Sequence, residues 1–484
     1  MVDRHATHEQ LSRKLESAGQ QHLLQHWDEL TPAERERLAA QIENLDLELF
    51  AALKKQFGAT EPGRVADHRA HWAALAARAS SPPALRLDGS GVDFSTEAAV
   101  QRGEQLLREH KVGMILVAGG LGTRLGCDGP KGMFPIGPLS QRPLFQVLIE
   151  SLLAVRKKYQ TAIPLYVMTS SATDVQTREF LTAHNYFGLP KEDVKFFSQS
   201  SMFAVDDGWN KILLASKGEL VLAPDGHGGM LRAFEKSGCL ADCRERGIDL
   251  LFYGQIDNPL LQVCDPLLLG SHMLSRSELT TQVVKKRRPS ERVGVLVSAD
   301  NKVQMIEYSD LPEANAQETL PDGSLKFWAG SLAVHVFDRE LLERAASQAD
   351  ALPFHIAHKK TPHLNERGER IEAYKPNAFR FERFIFDLLQ VAERALVVEA
   401  DPALAFAPVK NSDAEATDNP RLAKQAIQAL HRRWLRAAGV QIADDVPVEI
   451  NPLFATSADE LAAKLPPGTS VTQATYFTPN GPAS

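Results

Sequence analysis

The segment best suited to binding a polyphosphate is a glycine-rich run in the first third of the chain. It reads VAGGLGTRLG, and PKG follows after three more residues. Gly119, Gly120 and Gly122 let backbone N–H groups approach phosphate oxygens closely, and a helix beginning behind such a loop would add positive potential. Arg124 and Lys131 add a planar guanidinium and a mobile ammonium group. The run therefore predicts a nucleotide-phosphate site.

The spacing of this loop differs from the two best-known phosphate-binding motifs. Gly120, Gly122 and Gly126 give G-x-G-x-x-x-G, whereas the dinucleotide motif is G-x-G-x-x-G. Lys131 follows Pro130, whereas the lysine of a Walker loop follows glycine and precedes serine or threonine. An NAD-dependent oxidoreductase is therefore disfavoured. A plain strand-to-helix turn would need only one or two glycines and neither cation.

A metal-binding residue is predicted at Asp257. It follows the apolar run 250–256, and an acid at the carboxyl end of a sheet strand lies where the ligand clefts of α/β proteins open. Carboxylate oxygens suit a hard cation such as Mg²⁺, with Mn²⁺ as the alternative. The other interpretation is that Asp257 caps a turn or a helix. The sequence offers no Ser/His/Asp or Cys/His arrangement that calls for a nucleophilic side chain.

Composition and charge limit the classes of partner. The 484 residues carry a formal net charge of −7, which disfavours nucleic acid as the main partner. No apolar stretch approaches the roughly 20 residues that span a bilayer, so we expect no membrane partner. The four cysteines form no CxxC pair, so we expect reduced thiols and a cytoplasmic protein. We expect a monomer or a weak homo-oligomer.

After about residue 105, short apolar runs alternate with amphipathic stretches. This alternation predicts an α/β fold with a mixed, mostly parallel sheet flanked by helices. Strands are predicted at 112–118, 164–169, 194–197, 220–223, 249–256 and 280–284. A hairpin is predicted where 293–298 and 302–308 flank the turn Ala-Asp-Asn.

Three consecutive domains are predicted along the chain. Residues 8–57 show helical spacing, and Thr31 with Glu34 reads as a capping box at a helix start. The stretch 59–89 carries prolines and reads as a loose connecting arm, whereas 419–438 reads as a helix. The predicted boundaries are 1–105 for the N-terminal helical region and arm, 106–395 for the α/β domain, and 396–484 for a small C-terminal domain.

The glycine loop and a series of further motifs resemble those of the eukaryotic-type UDP-sugar pyrophosphorylases. The matching motifs are AGQQHLL at 18–24, MTS at 168–170, APDGHGG at 223–229, IDN at 256–258, VGV at 293–295, IEYS at 306–309, AG at 329–330, KPN at 375–377, FIFD at 384–387 and FAPVKNSD at 406–413. Their number and their order along the chain make the resemblance more specific than any single motif. Within the family, the likeness is greatest to the enzymes that act on N-acetylglucosamine 1-phosphate.

The resemblance implies a GT-A-like, Rossmann-related nucleotidyltransferase core between the N-terminal helical region and the small C-terminal domain. It also implies roles, motif by motif. Nucleotide-binding residues would be Ala118, Gly119, Gly120, Gly122, Gln199, Gly226 and His227. Sugar-binding residues would be Gly294, Glu307, Tyr308, Ser331 and Lys375. The catalytic cations would be Arg124, Lys131 and Lys410, and Asp257 would bind the metal.

The implied reaction joins UTP and a sugar 1-phosphate into a UDP-sugar and pyrophosphate, with Mg²⁺. His227 and Ser331 depart from the acetylglucosamine-directed pattern, because those enzymes carry Asn at both positions, whereas glucose-directed relatives often carry His in the comparable glycine turn. N-Acetylglucosamine 1-phosphate is the first expectation, and glucose 1-phosphate or a range of sugars is the alternative. A catalytically inactive sugar-nucleotide-binding protein is disfavoured, because every implied catalytic residue is present.

Overall fold

The computed structural model describes residues 7–58, 64–348 and 351–483, and its largest element is a ten-stranded sheet. Its strands are β1 Ala84–Leu85, β2 Val112–Val117, β3 Leu165–Thr169, β4 Val194–Ser198, β5 Leu250–Gln255, β6 Leu279–Lys285, β7 Val295–Ala299, β8 Lys302–Ile306, β9 Ala329–Asp338 and β10 Ala395–Glu399. The order across the sheet is β1-β10-β6-β9-β5-β2-β3-β4, and the hairpin of β7 and β8 joins at β9. Outside that antiparallel hairpin, neighbouring strands are parallel except where β9 pairs antiparallel with β5, β6 and β7. The predicted mixed, mostly parallel sheet is confirmed.

The central strands carry continuous apolar sequences because they are buried. Five of the six residues of β2 and all five residues of β3 are buried. Parallel strands need crossover connections, which usually place helices against the sheet. Side chains of helices Thr96–Arg108 and Leu144–Tyr159 accordingly share one hydrophobic cluster with these strands. The central strands are therefore apolar along their length because helices pack against them and exclude water.

The second half of the sequence supplies most of the remaining helices. The α-helices that follow Leu144–Tyr159 in the chain are Asp174–Ala183, Met230–Lys236, Cys239–Glu245, Pro266–Leu274, Glu313–Ala316, Arg339–Ala346, Leu388–Val391, Pro402–Ala405, Pro420–Ala437 and Ala458–Lys464. The helix predicted at 419–438 is confirmed as Pro420–Ala437. Among the helices of the described residues, none combines the length and the apolarity needed to cross a membrane.

The chain forms two compact units that are interleaved along the sequence. The first unit combines the described residues of 1–71, 200–229 and 352–385, and the second combines those of 72–199, 230–351 and 386–484. The sheet belongs to the second unit. Strands of the first unit are Ser201–Phe203, Val205–Asp206, Leu214–Ser216, Glu219–Leu220, Leu222–Pro224, His355–Lys359, His363–Leu364, Arg370–Ile371 and Ala378–Glu382.

The N-terminal helices are held by residues from much later in the chain. Helices His8–Glu16, Pro32–Glu43 and Leu47–Phe57 share a hydrophobic cluster with Trp209 and Phe381. The predicted capping box at the start of the second of these helices is confirmed, because both of its reciprocal hydrogen bonds are present. Burial of these amphipathic faces therefore depends on long-range contacts within the first unit.

The observed units are built differently from the three consecutive domains, 1–105, 106–395 and 396–484, that the sequence predicts. Helix Thr96–Arg108 runs across the first of these boundaries, and β10 begins at the second and pairs within the central sheet. A domain boundary inferred from the sequence pattern cannot detect that a helix continues across it or that the next strand pairs with the preceding domain. The reason is physical, since an apolar helix face or strand edge is completed by whichever segment packs on it, however distant in sequence.

Two secondary-structure predictions were wrong. The strand predicted at 220–223 is split between two short strands of the first unit and is not part of the central sheet. The arm predicted as loose at 59–89 contains the helix Arg64–Arg78, while 59–63 lie outside the described residues. The alanines of that helix favour helical structure, and its Leu75 and Ala76 are buried against β7 and β8.

The C-terminal residues form a small cluster with its own apolar centre. Its strands and bridges are Gln441–Ile442, Val448–Ile450, Ser470–Val471, Thr475–Thr478 and Gly481–Ala483. Leu435, Val448, Leu461 and Phe477 are buried together. This cluster lies within the second unit, where the sequence predicts a small C-terminal domain.

Helices Thr96–Arg108 and Pro266–Leu274 cross at two glycines, so replacing one of them tests the packing. A Cβ on Gly103 would lie 1.9 Å from the carbonyl oxygen of Pro266. Helix propensity alone predicts that Gly103→Ala stabilises the fold by about 1 kcal/mol. The backbone clash instead predicts a loss of about 2 kcal/mol or more in the free energy of unfolding, measured by urea denaturation. Gln101→Ala, at an exposed position of the same helix, is the control, and a stabilised Gly103→Ala would contradict the close crossing.

Candidate functional site

The glycine-rich loop begins at the end of β2 and is fixed by its neighbours at the base. Ala118 is buried, and its N–H donates to the carbonyl oxygen of Met168 at 2.8 Å. The carbonyl oxygen of Gly119 accepts a hydrogen bond from the Ser170 hydroxyl at 2.8 Å. Both contacts come from the end of β3, the neighbouring parallel strand. The first residues of the loop are therefore held by the sheet itself.

The rest of the loop closes back on itself. The N–H of Gly122 donates to the carbonyl oxygen of Gly129 at 2.8 Å, and the N–H of Lys131 donates to that of Gly120 at 2.9 Å. These bonds return Lys131 to the base of the loop. Gly120 and Arg124 are exposed, and no hydrogen bond or ion pair of the Arg124 side chain is found among the described residues. The loop thus presents one fixed and one exposed cation.

The helix expected directly behind the loop is absent from the described chain. Short 3₁₀ turns follow instead, at Thr123–Leu125 and Lys131–Met133, and the next α-helix is Leu144–Tyr159. A single 3₁₀ turn aligns few peptide dipoles. The positive potential of the loop therefore comes mainly from side chains and individual N–H groups.

Lys131 meets Asp257 at the carboxyl edge of the sheet. The Lys131 Nζ lies 3.5 Å from Asp257 Oδ2, and the two side chains are only 16% and 12% exposed. Since β2 and β5 are adjacent parallel strands, the segments that follow them leave at the same edge. The sequence predicts roles for Lys131 and Asp257 separately, and the structure brings the two side chains together at this edge. The shielded pair places a positive and a negative group where a phosphate and a cation could bind.

A third segment completes this edge and contributes a residue that the sequence did not single out. The N–H of Val409 donates to the carbonyl oxygen of Asp257 at 2.8 Å, and the N–H of Lys410 donates to the carbonyl oxygen of Asp418 at 2.7 Å. Burial raises the pKa of the Asp418 carboxyl, the Lys410 charge opposes that rise and the Asp257 charge adds to it. Lys410 itself is exposed. Asp418 precedes the helix cap Asn419, so its sequence context suggested only a turn.

The two carboxyl groups Asp257 and Asp418 fit a magnesium site. Mg²⁺ commonly takes one or two carboxylates and completes its shell with water and substrate phosphates. Among the described residues there is no group of three or more His, Cys, Asp or Glu side chains that could hold a metal. The donor set therefore suits a hard cation bound together with a polyphosphate better than a closed structural metal centre.

Gln199 lies beside the same loop. Its backbone N–H donates to the carbonyl oxygen of Thr169 at 2.8 Å. A Cβ added to Gly119 would lie 3.4 Å from Gln199 Oε1. The predicted base-side residue is thus next to the predicted phosphate loop.

Three of the predicted sugar-binding residues lie together around β7, β8 and β9. The N–H of Ser331 donates to the carbonyl oxygen of Gly294 at 2.9 Å, and a Cβ on Gly294 would lie 3.2 Å from Glu307 Oε1. The pairing of β9 with β6 shifts register next to Ser331, where Ala333 has a φ of +54° and donates its N–H to the Ser331 hydroxyl. Tyr308 is 50% exposed beside Glu307.

The other predicted residues, Gly226, His227 and Lys375, belong to the first unit. Gly226 has a φ of +80°, and a Cβ there would lie 2.3 Å from the carbonyl oxygen of Arg383, so only glycine fits this turn. Lys375 is exposed. The sequence could not show that these residues fold with the N-terminal helices.

The His227 ring is held neutral. Its Nδ1 accepts the N–H of Ile385 at 3.2 Å, which leaves the ring proton on Nε2. Burial, assisted by the nearby His355, lowers the pKa of His227 to about 4. At physiological pH the turn therefore presents a neutral N–H donor, where an asparagine would present an amide.

Comparisons with known proteins agree with this geometry. A family model described as UTP–glucose-1-phosphate uridylyltransferase matches residues 88–427. The human UDP-N-acetylhexosamine pyrophosphorylase-like protein 1 is 34% identical over 460 residues, covering 91% of this chain and 87% of that protein. The UDP-N-acetylglucosamine pyrophosphorylase of Saccharomyces cerevisiae is 34% identical over 367 residues, covering 74% of this chain and 77% of that protein.

A solved structure shows the same fold. The uridine diphosphate N-acetylglucosamine pyrophosphorylase of Trypanosoma brucei, determined in complex with an inhibitor, superposes with a TM-score of 0.80 at 24% identity. The match covers 98% of this chain and 99% of that one. The fold is therefore shared along the whole chain.

The lowered pKa of His227 predicts an acid-dependent stability. Between pH 6.5 and 4 the unfolded chain binds a proton that the folded ring does not, so the free energy of unfolding falls as pH falls. For this buried ring we expect a loss of about 2 kcal/mol in the free energy of unfolding between pH 7 and pH 5. His227→Asn should remove this part of the pH dependence, measured from urea midpoints. An unchanged dependence would mean that the pKa of His227 is the same in the folded and the unfolded chain.

Proposed function

Because the chain belongs to the UTP–glucose-1-phosphate uridylyltransferase family, we propose that it is a uridylyltransferase. It transfers the uridylyl group of UTP to a sugar 1-phosphate and releases pyrophosphate. The preferred acceptor is N-acetylglucosamine 1-phosphate, and the product is then UDP-N-acetylglucosamine. The named activity of the yeast relative supports this acceptor.

The observation that carries the proposal is the meeting of Lys131 and Asp257 beside the glycine-rich loop. An oxidoreductase has no need of a shielded lysine facing a carboxylate at this edge. A phosphate-transferring enzyme needs both charges, because its substrate brings several negative charges and a companion cation.

The reaction requires positioning and charge neutralisation more than covalent help from the protein. An oxygen of the sugar phosphate attacks the α-phosphorus of UTP in line, the bond to the β-phosphate oxygen breaks, and pyrophosphate leaves. Arg124 and Lys131 neutralise the leaving pyrophosphate, and Lys410 screens the two anions as they approach each other. Backbone N–H groups of the loop orient the phosphates.

Asp257 and Asp418 are the residues that would hold Mg²⁺, or Mn²⁺ in its place. When bound, the metal supplies positive charge to phosphate oxygens. The 3.5 Å contact between Lys131 and Asp257 supports this assignment, because it brings the Asp257 carboxylate to the loop that would hold the phosphates.

Glucose 1-phosphate is the second candidate acceptor, and a broad preference for several sugars is a variant of it. Two observations favour it. His227 presents a neutral ring N–H instead of an amide. Ser331 is a shorter side chain whose hydroxyl already accepts the N–H of Ala333.

Other parts of the proposal concern the surroundings of the enzyme. We place it in the cytoplasm as a monomer or a weak homo-oligomer, without nucleic acid or membrane as partner. The net charge of −7 supports the first exclusion. The free cysteines Cys127, Cys239, Cys243 and Cys264 agree with a reducing compartment.

Pyrophosphate release tests the proposal directly. Purified protein is incubated with UTP, Mg²⁺ and, separately, N-acetylglucosamine, glucose or galactose 1-phosphate. We expect turnover with at least the first, and the three rates rank the sugars. A folded sample that binds UTP but turns over none of them would contradict the proposal.

Lys131→Ala should lower kcat by about a hundredfold or more, because it removes a contact to the charge that develops on the leaving group. The fold should persist, since Lys131 is not part of the hydrophobic core. Lys157→Ala, at an exposed position of helix Leu144–Tyr159, is the matched control and should leave kcat unchanged. Near-normal turnover of Lys131→Ala would remove this lysine from the mechanism.

Asp418→Asn should raise the Mg²⁺ concentration for half-maximal activity by about tenfold, on the scale of weakened metal-site contacts. Asp413→Asn is the control in the same segment, because the Asp413 carboxylate accepts the N–H of Arg421 and no metal role is assigned to it. Equal Mg²⁺ dependence of the two variants would rule out Asp418 as part of the metal site.

A further inference from the structure

A cavity lies in the sheet-containing unit, and none of the predicted nucleotide, sugar or metal residues lines it. Its volume is about 480 Å³, which is within the range of small-molecule sites. One wall is formed by 259–263, shortly after Asp257 in sequence, and another by helix Leu144–Tyr159. Helix Pro420–Ala437 contributes Leu430 and Trp434. Most of the lining is apolar.

One buried polar group in this lining has an unused donor. His431 is 8% exposed, and its Nδ1 accepts the N–H of Ile450 at 3.1 Å. The proton of the neutral ring is therefore on Nε2. Among the described residues that nitrogen has no hydrogen-bond partner, and the Trp434 ring lies 5.5 Å away. A donor in such a position usually finds an acceptor, which bound water or the face of an aromatic ring can supply.

The basic side chains of the lining are already neutralised. Arg142 pairs with Glu150 and Glu449, both of them buried. Lys158 pairs with Glu460 at 3.0 Å. An anionic occupant would therefore meet no available positive charge.

One acidic side chain of the lining, in contrast, lacks a basic partner. Glu104 pairs with Arg108 at 3.0 Å. Asp265 caps helix Pro266–Leu274 by accepting the N–H of Leu267 at 3.1 Å, and no basic side chain pairs with it in the described chain. The cavity therefore carries, next to apolar walls, a carboxylate that no basic side chain neutralises and whose charge the N–H groups of the helix N-terminus offset only in part.

We propose that this cavity binds a small organic monocation, with an ammonium group facing Asp265 and an apolar body against Trp434 and the neighbouring aliphatic side chains. The charge of Asp265 selects the cation, and the neutralised Arg142 and Lys158 give no attraction to an anion. Nucleotides and sugar phosphates are excluded by the same argument. The site is therefore distinct in chemistry and in place from the phosphate loop.

Three probes with one ring system separate charge from apolar fit. Tryptamine is cationic, indole is neutral and indole-3-acetate is anionic. Calorimetric titration of the full-length protein at pH 8 should show tryptamine binding at least tenfold more tightly than indole-3-acetate, with indole between them. Saturating UTP and Mg²⁺ should not displace tryptamine. Because the readout is binding, it does not depend on the proposed uridylyltransferase activity.

Two variants locate the site. Asp265→Asn keeps the capping oxygen and should weaken tryptamine binding about fivefold while leaving indole unchanged. Ala154→Trp fills the cavity from helix Leu144–Tyr159 and should abolish binding of both. Asp46→Asn, the same change at a helix cap of the first unit, is the control.

Any one of three results would refute the proposal. Absence of tryptamine binding to the folded wild type would refute it. So would tryptamine affinity that neither Asp265→Asn nor Ala154→Trp changes, or tighter binding of indole-3-acetate than of tryptamine. Thermal melting of each variant confirms that the compared samples are folded.

Discussion

The candidate site depends on the parallel pairing of β2 with β5, since both strands deliver their following segments to one edge of the sheet. At that edge the N–H of Ile256 donates to the carbonyl oxygen of Val117 at 3.0 Å, so the pairing continues to the point where each strand ends. The glycine loop then returns Lys131 through its bond to Gly120. A register shift of one residue would reverse the faces of one strand and separate Lys131 from Asp257. Strand register therefore sets the chemistry.

The charged side chains at this edge of the sheet differ in their exposure to solvent. Lys131 and Asp257 are mostly shielded from water, which strengthens their interaction with each other and with a bound phosphate. Arg124 and Lys410 are exposed, so they can follow a substrate as it enters and leaves. Asp418 is half-buried, and the charge of Asp257 contributes to the raised pKa of its carboxyl group. Such an arrangement suits a substrate that brings both phosphates and a divalent cation.

The C-terminal residues support the segment that follows the phosphate loop. Glu449, almost fully buried, accepts the N–H groups of Leu139 and Ser140 at 2.7 and 2.8 Å and also pairs with Arg142. A buried ion pair contributes little net stability, but loss of one partner leaves an unpaired buried charge. The pair therefore fixes the position of 137–142 more than it stabilises the fold. It also explains why the cavity beside it offers no free positive charge.

The sequence alone determined the elements whose signals are local. The apolar runs of β2, β3 and β5, the capping box of Thr31 and the glycine loop with Lys131 were all readable, because burial and backbone freedom restrict residue types directly. The tertiary structure alone decided which distant segments meet. Asp418 looks like a turn residue until the fold places it near Asp257, and the N-terminal helices reveal no partner until later strands cover them. Long-range packing leaves no mark at one position of one sequence, and this is why those contacts could not be predicted.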